Sequence, residues 1–276
     1  FGYDLCDALF QLEGELNDEE GSPSFYLCPS TSPILAQSHR TLSLSHITPS
    51  ACSFYTGRTV NHTLRTTMKL TQIRNATLLL EYAGTTFLID PMLAEKDAWE
   101  GFAGTARSHL RNPMVALPVT VEELLAADIV IVTHTHMDHW DDAAQKCIPS
   151  NKLIYTQHQA DAELIRSQGF TNVRVLQDEN VFTDGLTIYK VEGQHGSNDA
   201  YAVPPVAERL GDACGLVFTH HDEQTLYIAG DTVWVKPYLK TLQRFEPDVV
   251  VLNIGDAHID EFGPIIMGAQ DTLRTL

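Results

Sequence analysis

Apolar positions recur with two different spacings along this chain. From Met68 onward, short apolar runs of strand length alternate with stretches whose apolar residues fall at helical intervals. The segment MKLTQIRNATLLLEYAGTTFLIDPML opens that region, and its runs at 77–82 and 85–89 flank Ala83-Gly84, which predicts a hairpin. Further strands are predicted at 128–133, 152–155, 173–176, 186–192, 215–219, 224–228 and 248–253. Helices are predicted at 121–126, 142–147, 160–167 and 236–244, the third ended by Gly169. Strand-rich segments with helices between them predict an α/β (α+β) chain, a sheet core covered by helices.

Residues 1–67 read differently. The first 20 residues hold seven acids and no Lys or Arg, and residues 21–67 hold 17 Ser or Thr with Pro23, Pro29, Pro33 and Pro49. Leu5, Leu9 and Leu12 allow one short helix over 4–16; no other period persists. The expected organisation is a Ser/Thr-rich, largely disordered leader over 1–67 and a folded domain over 68–276. Asn61-His62-Thr63 is a glycosylation sequon, read as idle because the start of the chain has no basic, apolar secretory pattern. That start points to the cytoplasm, as do five cysteines (Cys6, Cys28, Cys52, Cys147, Cys214) with irregular spacing and no Cys-x-x-Cys pair.

The charge narrows the partners. The 276 residues carry a net charge of −18, which disfavours nucleic acid and anionic membrane surfaces. No apolar run reaches membrane-spanning length. The leader accounts for −4, with seven acids against three bases, so −14 belongs to residues 68–276.

The candidate chemistry sits just after the apolar run Asp-Ile-Val-Ile-Val. There the chain reads His134-Thr-His136-Met-Asp138-His139. Histidines at i and i+2 on an extended segment project to one side, and two more ligands follow within three residues. Imidazole nitrogens with a carboxylate suit zinc, and also manganese or iron. They also suit hydrolysis, where the metal lowers the pKa of a bound water. Six residues do not close such a site alone. His195 in Glu-Gly-Gln-His-Gly, Asp231 in Ala-Gly-Asp-Thr and His258 in Gly-Asp-Ala-His each follow a strand-like run beside a glycine, and are the further candidates.

With these residues in place, the chain resembles the metallo-β-lactamase superfamily. Asp90 in Phe-Leu-Ile-Asp-Pro, the His134-x-His136-x-Asp138-His139 motif, His195 and Gly230-Asp231 match the order and rough spacing of its first four motifs. Within the superfamily, Gly104-Thr-Ala-Arg-Ser-His109 and the ending Gly-Pro-Ile-Ile-Met-Gly268 resemble the branch akin to ascorbate-6-phosphate lactonase. The resemblance implies a four-layer αββα sandwich with one or two metal ions, Zn2+ first and Mn2+ or Fe2+ as alternatives. It implies that His134, His136 and His195 hold one ion, that Asp138 and His139 hold a second, and that Asp231 bridges them. A hydroxide between the metals would attack a carbonyl or phosphoryl centre, with Asp138 helping to orient it. Asp90 would accept an imidazole N–H or fix the motif loop.

One departure is visible. The superfamily's fifth motif, a histidine after a further strand, has no counterpart in the ending Gly268-Ala-Gln-Asp-Thr-Leu-Arg-Thr-Leu276, which reads as a helix cut short. The expectation is a fold lacking its last strand, with His258 the only nearby substitute. The functional expectation is a metal-dependent hydrolase of a small-molecule ester, lactone or phosphodiester. The alternative is a weakened or inactive metal-binding relative. Thioester chemistry of the glyoxalase or persulfide kind uses the same motif and stays open. Ser197 is rejected as a nucleophile because no second histidine-carboxylate set stands beside it. Trp140 reads as core, His158 as a cap, and His220-His221 as a solvated turn.

Overall fold

The computed structural model describes residues 25–29, 34–35, 41–43, 68–182 and 185–275. The predicted hairpin is its clearest local feature. Strands β4 (Lys69–Arg74), β5 (Thr77–Tyr82) and β6 (Thr85–Ile89) form an antiparallel meander in which Leu80 lies opposite Phe87. Ala83 and Gly84, with φ of 48° and 75°, make the two-residue turn between β5 and β6. Two successive positive φ values match the right-handed twist of the strands.

After this meander the connections change. Strands β7 (Ile129–Val132), β8 (Leu153–Thr156) and β9 (Val173–Val175) join β6 in parallel. Parallel neighbours need a crossover, and helices α1 (Val121–Leu125), α2 (Asp142–Cys147) and α3 (Gln159–Ser167) lie in those connections. Each starts on a side-chain cap: Thr120 in a reciprocal box with Glu123, Asp141, and the ring of His158. The strand β3 (Thr41–Ser43) completes a seven-stranded sheet in the order β3-β4-β5-β6-β7-β8-β9.

A second seven-stranded sheet holds β10 (Glu179–Val181), β11 (Thr187–Glu192), β12 (Cys214–Thr219), β13 (Leu226–Ile228), β14 (Val249–Asn253), β1 (Phe25–Pro29) and β2 (Ile34–Leu35), in that order. Only β13 and β14 pair in parallel, and α6 (Lys236–Phe245) connects them. Between β11 and β12 stand the short helices α4 (Asn198–Tyr201) and α5 (Pro204–Leu210). A small ribbon, β15 (His258–Ile259) with β16 (Gly263–Pro264), and α7 (Ala269–Thr275) close the described chain.

The two-residue period sorts side chains between cores. Leu78, Leu80, Phe87, Ile89, Ile129 and Ile131 from the first sheet share one buried cluster with Ile188, Leu216, Phe218, Ile228 and Val251 from the second. The intervening residues Leu88, Val130, Val132 and Ile154 pack instead with Leu124, Ala144 and Ile165 of the three crossover helices. Val217, Tyr227, Val250 and Leu252 pack with Tyr238 and with the partly buried Leu239 and Leu242 of α6. This partition fits the αββα layering that the resemblance implies. It also explains the unbroken apolar run of β7, which is buried on both faces.

Some elements carried no readable period. Strands β1, β2 and β3 fall within residues 1–67, where none was predicted, and the predicted helix over 4–16 lies outside the described residues. β2 and β3 are edge strands and β1 lies between β14 and β2; their pairing uses main-chain groups and asks little of the side-chain pattern. Helices α4 and α5 were also unpredicted; at four and seven residues they are too short to show a helical stripe. Among the described residues, no helix is long and apolar enough to cross a membrane.

Candidate metal centre

The strand directions gather the candidate residues. Because β6 and β7 run parallel, Asp90 and the segment 133–139 leave the first sheet at one edge. Strands β11 and β13 are each antiparallel to β12, and β14 is parallel to β13, so His195, Asp231 and Asn253 leave the second sheet in a common direction. The site forms where the two sets of strand ends meet.

His134 continues from β7 and is buried, at 2% exposure. The chain then turns, with the N–H groups of His139 and Trp140 donating to the His136 carbonyl at 2.9 and 2.8 Å. That turn folds Asp138 and His139 back beside His134, whose ring centroid lies 3.9 Å from that of His139. Trp140 points away from the site and stacks edge-on against Phe170, its indole N–H donating to Gln168 at 2.9 Å. It is core, in keeping with the sequence reading.

Asp231 is the hub. Its Oδ2 lies 3.3 Å from His139 Nε2, 3.5 Å from His195 Nε2 and 3.9 Å from His134 Nε2. Its Oδ1 accepts from Asn253 Nδ2 at 2.6 Å. The preceding Gly230 has φ of 66°, and a Cβ there would lie 2.5 Å from the Cys214 carbonyl oxygen. Only glycine allows the backbone to pass so close.

Three of the four imidazoles are held through the nitrogen that faces away from the cluster. His139 Nδ1 lies 2.9 Å from Asp90 Oδ2, and His195 Nδ1 lies 2.8 Å from the Ile265 carbonyl. His136 is turned the other way: its Nε2 meets the Arg209 carbonyl at 2.9 Å, and its Nδ1 lies 3.1 Å from His134 Nε2. A carbonyl can only accept, so His136 and His195 carry their protons on these outer nitrogens. That orientation turns their inner nitrogens toward the cluster, where a metal would take the lone pairs.

The electrostatics follow from burial and neighbours. Burial, reinforced by His139, holds the His134 pKa well below the usual value, so the ring is neutral. Burial and then His195 lower His136 as well. Burial also opposes a charge on His139, but Asp231, Asp90 and Asp138 together outweigh it and hold its pKa well above the usual value. Burial works against an ionised Asp231, yet His139 and His195 overcome it and keep this carboxyl well below the normal range. Asp90 is raised by burial despite His139 and Thr133.

Two donor groups result, His134/His136/His195 and His134/His139/Asp231, with ligand atoms in each group within 4.8 Å of one another. Imidazole nitrogens and an ionised carboxylate aimed at common points fit a first-row divalent ion, which would have to displace the proton that the surrounding carboxylates favour on His139. Asp138 stands at the rim with its side chain 28% exposed, 4.0 Å from His139 Nε2.

His258 is not brought to this cluster. It sits on β15 with its side chain 43% exposed, and its Nε2 lies 3.0 Å from Asp256. His220, His221 and Asp222 form a further group in the turn after β12, with His221 and Asp222 exposed. Arg111 pairs with Glu100 on the surface.

Four supporting groups went unread in the sequence. Thr133 gives its N–H and hydroxyl to Asp90 at 2.7 and 2.8 Å. Asp141 joins the loop after β6 to α2 by accepting from Ala94 and Ala144, both at 2.7 Å. Asn253 orients Asp231. The buried Arg74 donates to the carbonyls of Met92, Ala94 and Val115. Thr133 and Asp141 stand beside the motif, but nothing in an isolated Thr or Asp marks it as a strut.

Residues 85–276 match the family described as beta-lactamase superfamily domain. The chain belongs to the beta-lactamase superfamily. It is 43% identical over 205 residues to the UPF0173 protein YddR of Bacillus subtilis (strain 168), covering 74% of this chain and 78% of that protein. Among solved structures, it is similar to the isothiocyanate hydrolase from Delia radicum gut bacteria. There the identity is 73%, the TM-score 0.74, and the coverage 75% of this chain and 79% of the other. A possible metal-dependent hydrolase from Veillonella parvula DSM 2008 is 47% identical with a TM-score of 0.73, over 76% of this chain and 80% of that one. The chain is thus a metal-dependent hydrolase of the superfamily.

Proposed function

We propose that this protein hydrolyses a small organic substrate at an electrophilic carbon, with an isothiocyanate as the first candidate. The observation that carries the reading is the convergence of the His134, His139 and His195 imidazoles on the Asp231 carboxylate, with His136 set against the His134 ring. The substrate class is supported by the 73% identity to an isothiocyanate hydrolase. It takes precedence over the ester, lactone and phosphodiester expected from sequence, for which no relative named above speaks. The reaction balances as R–N=C=S plus water giving R–NH2 and O=C=S. A C–O bond forms at the central carbon, the C–N bond breaks, and both water protons end on nitrogen.

In this reading His134 Nε2, His136 Nδ1 and His195 Nε2 would hold one ion. His139 Nε2 and Asp138 would hold a second, with Asp231 between the two. These residues would hold a divalent ion, Zn2+ first, whose chemistry when bound would be to lower the pKa of a water and polarise the substrate. Asp138, at the exposed rim, would orient the attacking water and accept its proton. Asp90 would act only through His139, keeping its Nε2 turned inward.

The test pairs metal content with turnover. Protein purified without chelator is assayed by plasma mass spectrometry and with benzyl isothiocyanate, a lactone, a carboxylic ester and a phosphodiester. The His134→Ala/His136→Ala double variant is the control. Metal and isothiocyanate turnover, both lost in the control, are expected. Turnover of only another probe would move the substrate to that class. Bound metal without any turnover would favour the weakened-relative alternative.

A further inference from the structure

The backbone that carries His195 and the carbonyl that holds His136 lie on different parts of the chain. His195 follows β11, whereas the carbonyl that holds His136 belongs to Arg209 in the last turn of α5. One side chain joins them. The main-chain N–H of His195 donates to Tyr201 Oη at 3.3 Å, and the Tyr201 hydroxyl donates to the Gly211 carbonyl at 2.8 Å. Gly211 is the C-cap of α5, its N–H donating to Ala207 at 2.9 Å and its φ at 62°. The Arg209 guanidinium is tied in turn to the Ala103 carbonyl, which fastens the end of α5 to the loop after Trp99. The Tyr201 ring is half-buried against Ala200, Leu210 and Ile259.

We propose that Tyr201 is a positioning residue for the His134/His136/His195 group. Its hydroxyl sets the spacing between the His195 backbone and the α5 terminus that holds His136. The inference rests on the metal-centre reading above. Aromatic packing fixes the ring, and the two hydrogen bonds convert that fixed point into a distance between imidazoles. Without the oxygen, the His195 N–H and the Gly211 carbonyl lose their common partner; each ring keeps its own carbonyl, at Ile265 and Arg209, but the spacing between the two supports loosens. The His139/Asp231 group has its own anchors, Asp90 and Asn253, and does not depend on Tyr201.

The experiment uses Tyr201→Phe, which removes one oxygen and keeps the ring. Val206→Ala, in the same apolar cluster but touching neither hydrogen bond, is the packing control. The wild type and both variants are loaded with Zn2+ or Co2+, and metal transfer to a chromogenic chelator is followed. The expected result for Tyr201→Phe is at least tenfold faster release of one ion. The visible d–d bands of its Co2+ form should also change, while a second ion leaves at the wild-type rate. Val206→Ala should lower the thermal midpoint yet release metal as the wild type does. Wild-type release and an unchanged Co2+ spectrum in Tyr201→Phe would overturn the proposal alone. Equal acceleration in both variants would also overturn it, reducing Tyr201 to packing. A wild-type chain that takes up neither ion would overturn the metal-centre reading itself, and this proposal with it.

Discussion

The Asp90 carboxylate accepts from His139 Nδ1 at 2.9 Å, across a gap that no sequence neighbourhood bridges, and both side chains are buried. The same carboxylate takes the Thr133 N–H and hydroxyl at the start of the motif. One residue after β6 thus fixes both ends of the six-residue loop that carries three of the four imidazoles.

Asp90→Asn should keep the backbone, since Asn tolerates the left-handed φ of 49° found here. It removes the charge facing His139. Metal retention in a chelator titration should fall about 10- to 100-fold. Asp90→Ala should also destabilise the fold by about 2 kcal/mol, because the buried Thr133 N–H loses its acceptor. Wild-type retention in Asp90→Asn would show that hydrogen bonding suffices without the charge.

The imidazoles make the metal-free protein respond to pH in two opposing ways. His134 and His136 have lowered pKa values, so the fold loses stability as pH falls below the unfolded value of about 6.5. His139 is raised, so its contribution is full below about 6.5 and is lost as pH rises through its folded value. Metal at His139 Nε2 must displace that proton. Calorimetry in two buffers of different ionisation heat should show about one proton released from His139 per ion bound there near pH 7. Equal observed heats in the two buffers, meaning that no proton is released, would falsify the protonated state of His139.

Gly230→Ala should cost more than a typical surface change. It combines a positive φ with a Cβ 2.5 Å from a backbone oxygen that cannot swing aside. We expect a loss of about 2 kcal/mol or more in urea unfolding, together with loss of metal because Asp231 moves with its neighbour. Normal metal content in a destabilised variant would separate the turn from the site.

His258→Ala should leave metal content unchanged, because the ring pairs with Asp256 outside both donor groups. His136→Ala should lose at least one ion. Loss of metal in His258→Ala would mean that the ribbon β15–β16 swings His258 inward when the site is loaded.

Much of this was legible in one dimension. The continuous apolar run at 129–132 marked a strand buried on both faces, and the turn Ala83-Gly84 marked a hairpin. Both depend on neighbours a few residues apart. The motif was equally plain, since three histidines and an aspartate in six residues are dense enough to stand out. Helices α4 and α5 were illegible, although they supply Tyr201 and the Arg209 carbonyl, because a main-chain acceptor has no residue type.

The amino-acid sequence by itself determined the strand and helix alternation, the acidic surface charge, and the identity of the metal-ligating candidates His134, His136, Asp138, His139, His195 and Asp231. These are local or compositional properties, written in side-chain chemistry. Tertiary structure alone decided that β6, β7, β11, β13 and β14 bring their ends together, and that Asp231 stands among three Nε2 atoms. It also decided that His258 stays on an exposed ribbon paired with Asp256. Those outcomes depend on strand direction and on contacts between residues far apart in the chain, and no local period encodes them.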